Sequence, residues 1–202
     1  MDASQEMKSP PPDRAAFGFP DCVDREFGFL RQLGFTTRRR EPTLVRFESD
    51  WLRIDVYHGR QSYEIGLSIG SVTASQRDSY SMGTLLTLME PDAWRSYRDY
   101  GASSPAAVGR GVTELAALLR RCVAGGLLKD STLLQRLQEI SRVSADEYAN
   151  EVLIADIRKK LQAAWNSRDF ARVVTLLDPI QHLLTDVERK KLRYARGRAA
   201  KR

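Results

Sequence analysis

Cysteine and histidine are scarce in this chain, which has two of each among its 202 residues. Cys22 and Cys122 lack the closely spaced partner cysteines that zinc knuckles and disulfide frameworks require. His58 and His182 belong to no spaced set of Cys, His or carboxylate ligands, so each is predicted to be a turn or surface residue. The sequence therefore predicts no metal site, no cofactor and a reducing, cytoplasmic environment.

Long apolar runs are absent as well. No stretch approaches the roughly 18 residues that span a bilayer, and residues 1–13 are polar and proline-rich instead of following a signal-peptide pattern. The sequence thus predicts neither membrane insertion nor secretion. Apolar residues still make up 42% of the chain and the 29% charged residues are mixed in sign, which is typical of a chain that folds around a core.

The excess of positive charge lies at the C-terminal end. From Thr185 onward eight basic residues face two acidic ones, which accounts for the whole net charge of +6. Basic side chains here can bind nucleic-acid phosphates, or they can stabilise the end of a helix and keep the chain soluble. The candidate nucleic-acid-binding residues are Arg189, Lys190, Lys191, Arg193, Arg196 and Arg198.

Three runs of alternating apolar and polar residues predict β-strands at 44–48, 52–57 and 63–69. The connections between them are short and contain turn-forming residues, so the strands are expected to pair antiparallel in a meander. One face of this sheet would be apolar and covered by helices, and the other polar. The arginine run 38–40 and the following Glu41-Pro42 are predicted to be a loop.

Apolar spacings of three and four residues predict helices at 22–35, 112–122, 133–140 and 170–178. Two pairs, Ser144 with Glu147 and Thr185 with Glu188, have the spacing of reciprocal helix caps and are expected to begin helices. The predicted class is α+β, an antiparallel β-meander covered by helices and followed by an all-helical C-terminal region. The predicted parts are a flexible leader at 1–19, an α+β domain at 20–142 and a helical subdomain with a basic tail at 143–202.

The segment Gly66-Leu67-Ser68-Ile69-Gly70 matches the G-x-S-x-G pattern, which in hydrolases exposes a serine on a strand-to-helix turn. Here Leu67 and Ile69 continue the strand alternation, and no helical stripe follows in 71–81. Only His182 lies downstream to act as a base. We therefore interpret Ser68 as a strand residue, and a small serine hydrolase is the third functional hypothesis.

Two groups of side chains are candidates for contact with a protein. Three aromatic residues at a spacing of three suit either a buried helix face or an interface patch. Charged residues on the polar face of the meander can pair across strands or meet a partner. The candidate protein-binding residues are Trp94, Tyr97, Tyr100, Arg46, Arg53, Asp55 and Glu64.

The segment running from Ala164-Trp165 through Arg168-Asp169-Phe170 to Tyr194-Ala195 resembles the helix-turn-helix of tetratricopeptide repeats. In such repeats a Trp, an Asp-aromatic turn and a later Tyr-Ala pack two helices together. No second copy lies at the expected period, so the resemblance implies a helical hairpin and not a solenoid. It also implies peptide or protein binding.

Residues 20–130 resemble small bacterial proteins of the immunity-protein kind, in which a helix ending in Gly-Phe precedes a meander. The resemblance implies an α+β fold and neutralisation of a toxin by stoichiometric contact, and it transfers no catalytic residue. Since the chain is poor in bases, nucleophiles and metal ligands, the sequence favours a non-enzymatic protein-binding module. A nucleic-acid-associated factor that uses the basic C-terminal helix is the alternative, and a homo-oligomer is left open. The segments that carry the resemblance are Phe27-Gly28-Phe29-Leu30, Gly34-Phe35, Val45–Ser49, Ile54–Tyr57 and Tyr63–Gly70.

Overall fold

The computed structural model describes residues 14–73, 75, 78–90, 92 and 97–199. It confirms the predicted α+β class, with an antiparallel sheet and helices followed by a helical C-terminal region. The chain divides into two compact units, Met1–Ser141 and Arg142–Arg202. The first unit contains the sheet, and the second is helical.

The sheet has the strand order β1-β2-β3-β4-β5, and the short β6 pairs with β4 on the same side as β5. Each of these pairings is antiparallel. Their bounds are β1 Thr36–Glu41, β2 Leu44–Glu48, β3 Leu52–His58, β4 Glu64–Ser71, β5 Ser79–Ser81 and β6 Tyr100–Gly101.

The helices of the described residues cover the apolar face of the sheet in the first unit and pack on one another in the second. In the first unit α1 packs on β2, while α2 and α3 pack on β4. The bounds are α1 Phe19–Glu26, α2 Met82–Met89, α3 Pro105–Val123, α4 Leu133–Asn166, α5 Phe170–Leu177 and α6 Asp186–Ala199.

The first core is built on the register of the central strands. Val45 pairs with Val56, which pairs with Leu67, so one row of apolar side chains crosses β2, β3 and β4. Phe47, Ile54 and Ile69 form a parallel row, and all of these side chains are buried. Full burial of each such side chain contributes about 1.5–3 kcal/mol, which explains why the period-two pattern was readable in the sequence.

The second core joins the end of α4 to α5 and α6. Ile157, Leu161, Val173, Leu177 and Leu192 are buried in it. The predicted cap of α6 is confirmed, because the Thr185 amide donates to Glu188 Oε2 at 2.8 Å and the Glu188 amide donates to Thr185 Oγ1 at 3.3 Å. This reciprocal cap fixes where α6 begins.

The predicted loop at 38–41 is wrong, because these residues form most of the edge strand β1. Every residue of β1 is exposed or half-exposed, so the strand has no apolar face and no alternation to reveal it. Its hydrogen bonds to β2 define it instead.

The predicted flexible leader is also wrong for residues 14–19, where Phe17 and Phe19 are buried. Residues 1–13 lie outside the described part of the chain.

The predicted helix start at Ser144 is wrong, because α4 runs without a break from Leu133 to Asn166. No glycine or proline interrupts this stretch, and a capping pair inside it does not force a break. The helix predicted to begin near Val112 begins at Pro105, where the Ser104 hydroxyl accepts from the Ala107 amide at 3.3 Å.

Candidate functional site

Asp55, a predicted contact residue, is fully buried between two arginines. Arg46 donates from Nε and Nη2 to the two carboxylate oxygens at 2.6 and 2.9 Å, and this pairing raises the pKa of Arg46. Arg53 Nε lies 3.4 Å from Oδ2, and its Nη2 donates to the Ser75 carbonyl at 3.2 Å. Arg53 is itself only 4% exposed. Because Asp55 and Arg53 have almost no surface to offer a partner, we interpret this cluster as structural.

Two of the predicted aromatic contact residues pack on each other. The rings of Tyr97 and Tyr100 meet edge to face at 6.4 Å, and Tyr97 donates from its hydroxyl to Asp99 at 2.8 Å. Both are half-buried, and burial raises the pKa of each phenol. Glu64 is also half-buried, and burial followed by the nearby Asp99 raises its pKa. Trp94 lies outside the described residues.

Ser68 lies in the middle of β4, in regular register between Asp55 of β3 and Ser81 of β5. The G-x-S-x-G segment is therefore part of a strand ladder and not of a strand-to-helix turn. His58 follows Ile54 and Val56 along β3, so its side chain lies on the opposite, apolar face of the sheet from Ser68. The two residues do not face each other.

The predicted surface position of His58 is wrong, since this residue is 1% exposed. Its Nε2 lies 2.8 Å from the Ala102 carbonyl, and Arg14 Nη1 lies 3.0 Å from Nε2 and 3.2 Å from Nδ1. Phe17 and Phe19 pack against the imidazole. Burial lowers the pKa of His58, with the Arg14 charge as a smaller cause in the same direction.

The described residues include no cluster of metal ligands and one buried thiol. None of their His, Cys, Asp and Glu side chains form a group of three or more that could hold a metal ion. Cys122 is buried, which raises the pKa of its thiol to about 11, so it stays protonated near neutral pH. Cys22, on α1, is half-exposed.

The second unit carries an open groove of about 790 Å³, which we call the C-terminal groove. The end of α4, the start of α5 and one face of α6 line it. On α6 the lining positions recur at three- and four-residue intervals, as one face of a helix requires. The lining residues are Trp165, Arg168, Phe170, Val187, Lys190, Lys191, Tyr194 and Arg198.

The floor of the C-terminal groove is aromatic. The ring centroids of Trp165, Phe170 and Tyr194 lie 5.5 to 5.9 Å from one another. Tyr194 is 48% exposed, and Val187 at one end of the groove is 63% exposed. Trp165 and Phe170 are half-buried against the second core, so the apolar surface that is open to solvent here belongs mainly to Tyr194 and Val187.

The rim of the groove is basic, since the four charged residues that line it are all cations. Lys191 Nζ lies 5.2 Å from the centre of the Trp165 ring. Arg198 lies over Tyr194 at 5.3 Å, and its Nε donates to the tyrosine hydroxyl at 3.0 Å. Salt bridges between described residues of this unit use other cations, such as Arg158, Arg189 and Arg196, and none includes a groove cation.

The turn between α4 and α5 positions two sides of the groove. Arg168 has the left-handed backbone conformation, with φ of 56°, and its amide donates to Trp165. The Asp169 amide donates to the Ala164 carbonyl at 3.0 Å, which completes a Schellman motif, and the Asp169 side chain caps α5. This arrangement brings Trp165 and Phe170 together across the turn.

The predicted nucleic-acid-binding residues divide into three sets. Lys190, Lys191 and Arg198 line the groove, whereas Arg189 pairs with Asp186 and Arg196 with Asp178. Arg193 is exposed outside the groove lining.

The aromatic floor was missing from the predicted contact residues, although the tetratricopeptide resemblance rests on the same Trp165, Phe170 and Tyr194. The signal that could have found it is the exposed stripe at 187, 190, 191, 194 and 198, which the predicted helix would have placed on one face.

No helix among the described residues has the length and the apolar character needed to cross a membrane. Comparison of the chain with protein-family models, with curated proteins and with solved structures finds no match.

Proposed function

We propose that this chain is a non-enzymatic binding protein that recognises a partner protein through the C-terminal groove. The observation that carries the proposal is the groove's apolar surface, exposed at Tyr194 and Val187, beside four cations that form no salt bridge with any described residue of the unit. Aromatic and arginine side chains are the residues most enriched at binding hot spots. An exposed apolar patch with a polar rim is typical of an interaction site.

The folding of the second unit does not explain why Tyr194 and Val187 are exposed. Leu192 and Ala195 lie on the adjoining side of α6 and are buried in the core. Tyr194 and Val187 keep 48% and 63% of their surface exposed, so folding leaves a large part of these two side chains in water. A partner that covered them would gain about 25 cal/mol for each Å² of apolar surface removed from water.

Neutralisation of a toxin is one form that such stoichiometric binding would take. The resemblance of residues 20–130 to immunity-type proteins implies it, and this part of the interpretation stays a prediction. Nucleic acid is the second candidate, favoured by Lys190, Lys191 and Arg198 in the groove.

A peptide-display selection tests the proposal. Random peptides are selected on the full chain and then measured against Tyr194→Ala and against the control Tyr148→Ala, which removes a tyrosine that is 69% exposed on α4 and does not line the groove. We expect the selected peptides to lose about tenfold or more in affinity for Tyr194→Ala only. Peptides that bind both variants as they bind the parent would contradict the proposal, and so would a selection that enriches nothing.

A further inference from the structure

We infer that the segment bound in the C-terminal groove is a short acidic peptide, whose carboxylates pair with the groove cations while one apolar side chain packs on the aromatic floor. This inference rests on the proposed function and names the chemistry of its partner. The first support is charge: Arg168, Lys190, Lys191 and Arg198 line the groove, and none of the described lining residues is acidic. A basic partner would be repelled at this surface, and a neutral one would leave the cations without partners on binding.

The placement of the cations favours carboxylates over stacked bases. Proteins that bind single-stranded nucleic acid present aromatic ring faces on which bases stack. Here Lys191 lies over the ring of Trp165 and Arg198 over that of Tyr194, while the contacts among the three rings are tilted or edge to face. Each of these two cations therefore lies over one face of its ring, which reduces the flat surface on which successive bases could stack.

The apolar end of the groove also favours a peptide. Val187 is 63% exposed, and its aliphatic side chain offers no hydrogen bond to a phosphate or a sugar. An aliphatic side chain of a peptide would bury this valine. From Val187 to Arg198, eleven helical steps of 1.5 Å give a length of about 16 Å, which matches about five residues of extended peptide at 3.3 Å each.

The experiment uses the full chain and fluorescence anisotropy with a labelled peptide of about seven residues, a central leucine flanked by glutamates. The same peptide with glutamine in place of glutamate tests the charge, and one with serine in place of leucine tests the apolar contact. A single-stranded oligothymidylate and a short DNA duplex are titrated in parallel. We expect the glutamate peptide to bind, and each altered peptide to bind about tenfold more weakly.

Two charge-reversed variants locate the binding site. Lys190→Glu reverses a cation of the groove, whereas Lys159→Glu reverses an exposed lysine of α4 that does not line it. Both change the net charge equally, so a general electrostatic effect would appear in both. We expect about a tenfold loss of peptide affinity for Lys190→Glu and less than about twofold for Lys159→Glu, with unchanged circular dichroism spectra.

Three results would overturn the inference. The first is that the glutamate peptide fails to bind, and the second is that the glutamine peptide binds equally well. The third is that an oligonucleotide displaces the glutamate peptide at lower concentration and that binding of the oligonucleotide depends on Lys190. Display-selected peptides that need Tyr194 but carry no acidic residues would overturn the inference and leave the proposed function standing. Failure of the proposed function would instead appear as insensitivity of the selected peptides to Tyr194→Ala.

Discussion

At the scale of single residues, the buried carboxylate of Asp55 has the largest expected effect on folding. It lies between Arg46 and Arg53, and Arg53 is almost fully buried as well. In Asp55→Asn both guanidinium groups lose their anion inside the protein, so we expect the free energy of unfolding to fall by about 3–5 kcal/mol. Urea denaturation measures this change.

Glu41→Gln is the matched control, because Glu41 lies on the edge strand β1 and pairs at 2.6 Å with Arg39, and both side chains are more than a third exposed at 36% and 48%. Exposed pairs contribute about 0–1 kcal/mol, so we expect a loss within that range. Equal losses in the two variants would contradict the structural role given to the buried cluster.

A second prediction concerns the left-handed backbone of Arg168. A residue with a side chain pays about 1–2 kcal/mol in this conformation, whereas glycine adopts it readily. Arg168→Gly should therefore raise the free energy of unfolding by about 1 kcal/mol and at the same time weaken binding of the glutamate peptide. Arg168→Ala removes the same cation without relieving the backbone, so it should weaken binding with no gain in stability. Similar stability of the two variants would show that the backbone cost is absent.

At the scale of elements, two glycines of α3 separate helix propensity from packing. A methyl group at Gly109 would meet no atom within 4 Å, whereas one at Gly111 would lie 3.0 Å from Ile65 Cδ1 and 3.1 Å from Tyr100 Cβ. Gly109→Ala should stabilise the chain by up to about 1 kcal/mol, the helix-propensity difference. Gly111→Ala should gain nothing or lose about 1 kcal/mol, because the helix must move off the sheet. Thermal unfolding of both variants tests this, and equal gains would contradict the close packing.

The cap of α6 gives a prediction about pH. Arg158 Nε donates to the Glu188 carboxylate at 2.7 Å, and the Thr185 amide donates to the same carboxylate at 2.8 Å. These hydrogen bonds lower the pKa of Glu188 from 4.5 to about 2. Because the folded pKa is the lower one, this stabilisation is complete above pH 4.5 and is lost as the pH falls toward 2.

Glu188→Gln should therefore cost about 1 kcal/mol near neutral pH and flatten the stability profile below pH 4.5. Glu147→Gln, at an exposed position of α4, should change neither property. Chemical denaturation at several pH values provides the comparison, and an unchanged slope in Glu188→Gln would refute the expectation.

The elements that the sequence predicted are those whose pattern comes from burial on one side. Val45, Ile54 and Leu67 alternate with polar residues because one face of their strands is in the core. β1 was not predicted because neither of its faces is buried. The continuity of α4 was not predicted because Ser144 has the sequence pattern of a helix cap although the helix continues through it. His58 was predicted at the surface because the Arg14 and Ala102 groups that satisfy it lie 44 residues away in either direction.

The candidate site was predicted only in part for a related reason. Basic residues near the C-terminus are visible in the sequence, but helix packing decides that Arg196 pairs with Asp178 and that Glu188 pairs with Arg158. That packing leaves Lys190 and Lys191 beside the aromatic floor.

At the scale of the whole molecule, charge is divided unequally between the two units. Residues 142–202 hold fourteen basic and eight acidic residues, whereas residues 1–141 hold eighteen of each. The net charge of +6 therefore belongs to the unit that carries the C-terminal groove. An acidic partner would be drawn to that unit, and its association rate should fall as ionic strength rises.

The two units are also expected to lose stability over different pH ranges. Burial lowers the pKa of His58, so its imidazole stays neutral in the folded first unit at pH values below about 6.5, where the unfolded chain takes up a proton. The free energy of unfolding therefore falls as the pH drops below that value. The stabilisation from Glu188 begins to be lost only below pH 4.5. Hydrogen exchange followed by mass spectrometry should show protection lost first near His58 and, at lower pH, at the start of α6. Loss in the reverse order would contradict these assignments.

The burial of Cys122 has a practical consequence for such measurements. Its protonated thiol lies in the core, whereas the chain's other cysteine, Cys22, is half-exposed on α1. A maleimide dye added at neutral pH would therefore attach at one position without any engineered change. The natural sequence already provides a defined place for a fluorescent label, in the unit that does not carry the C-terminal groove.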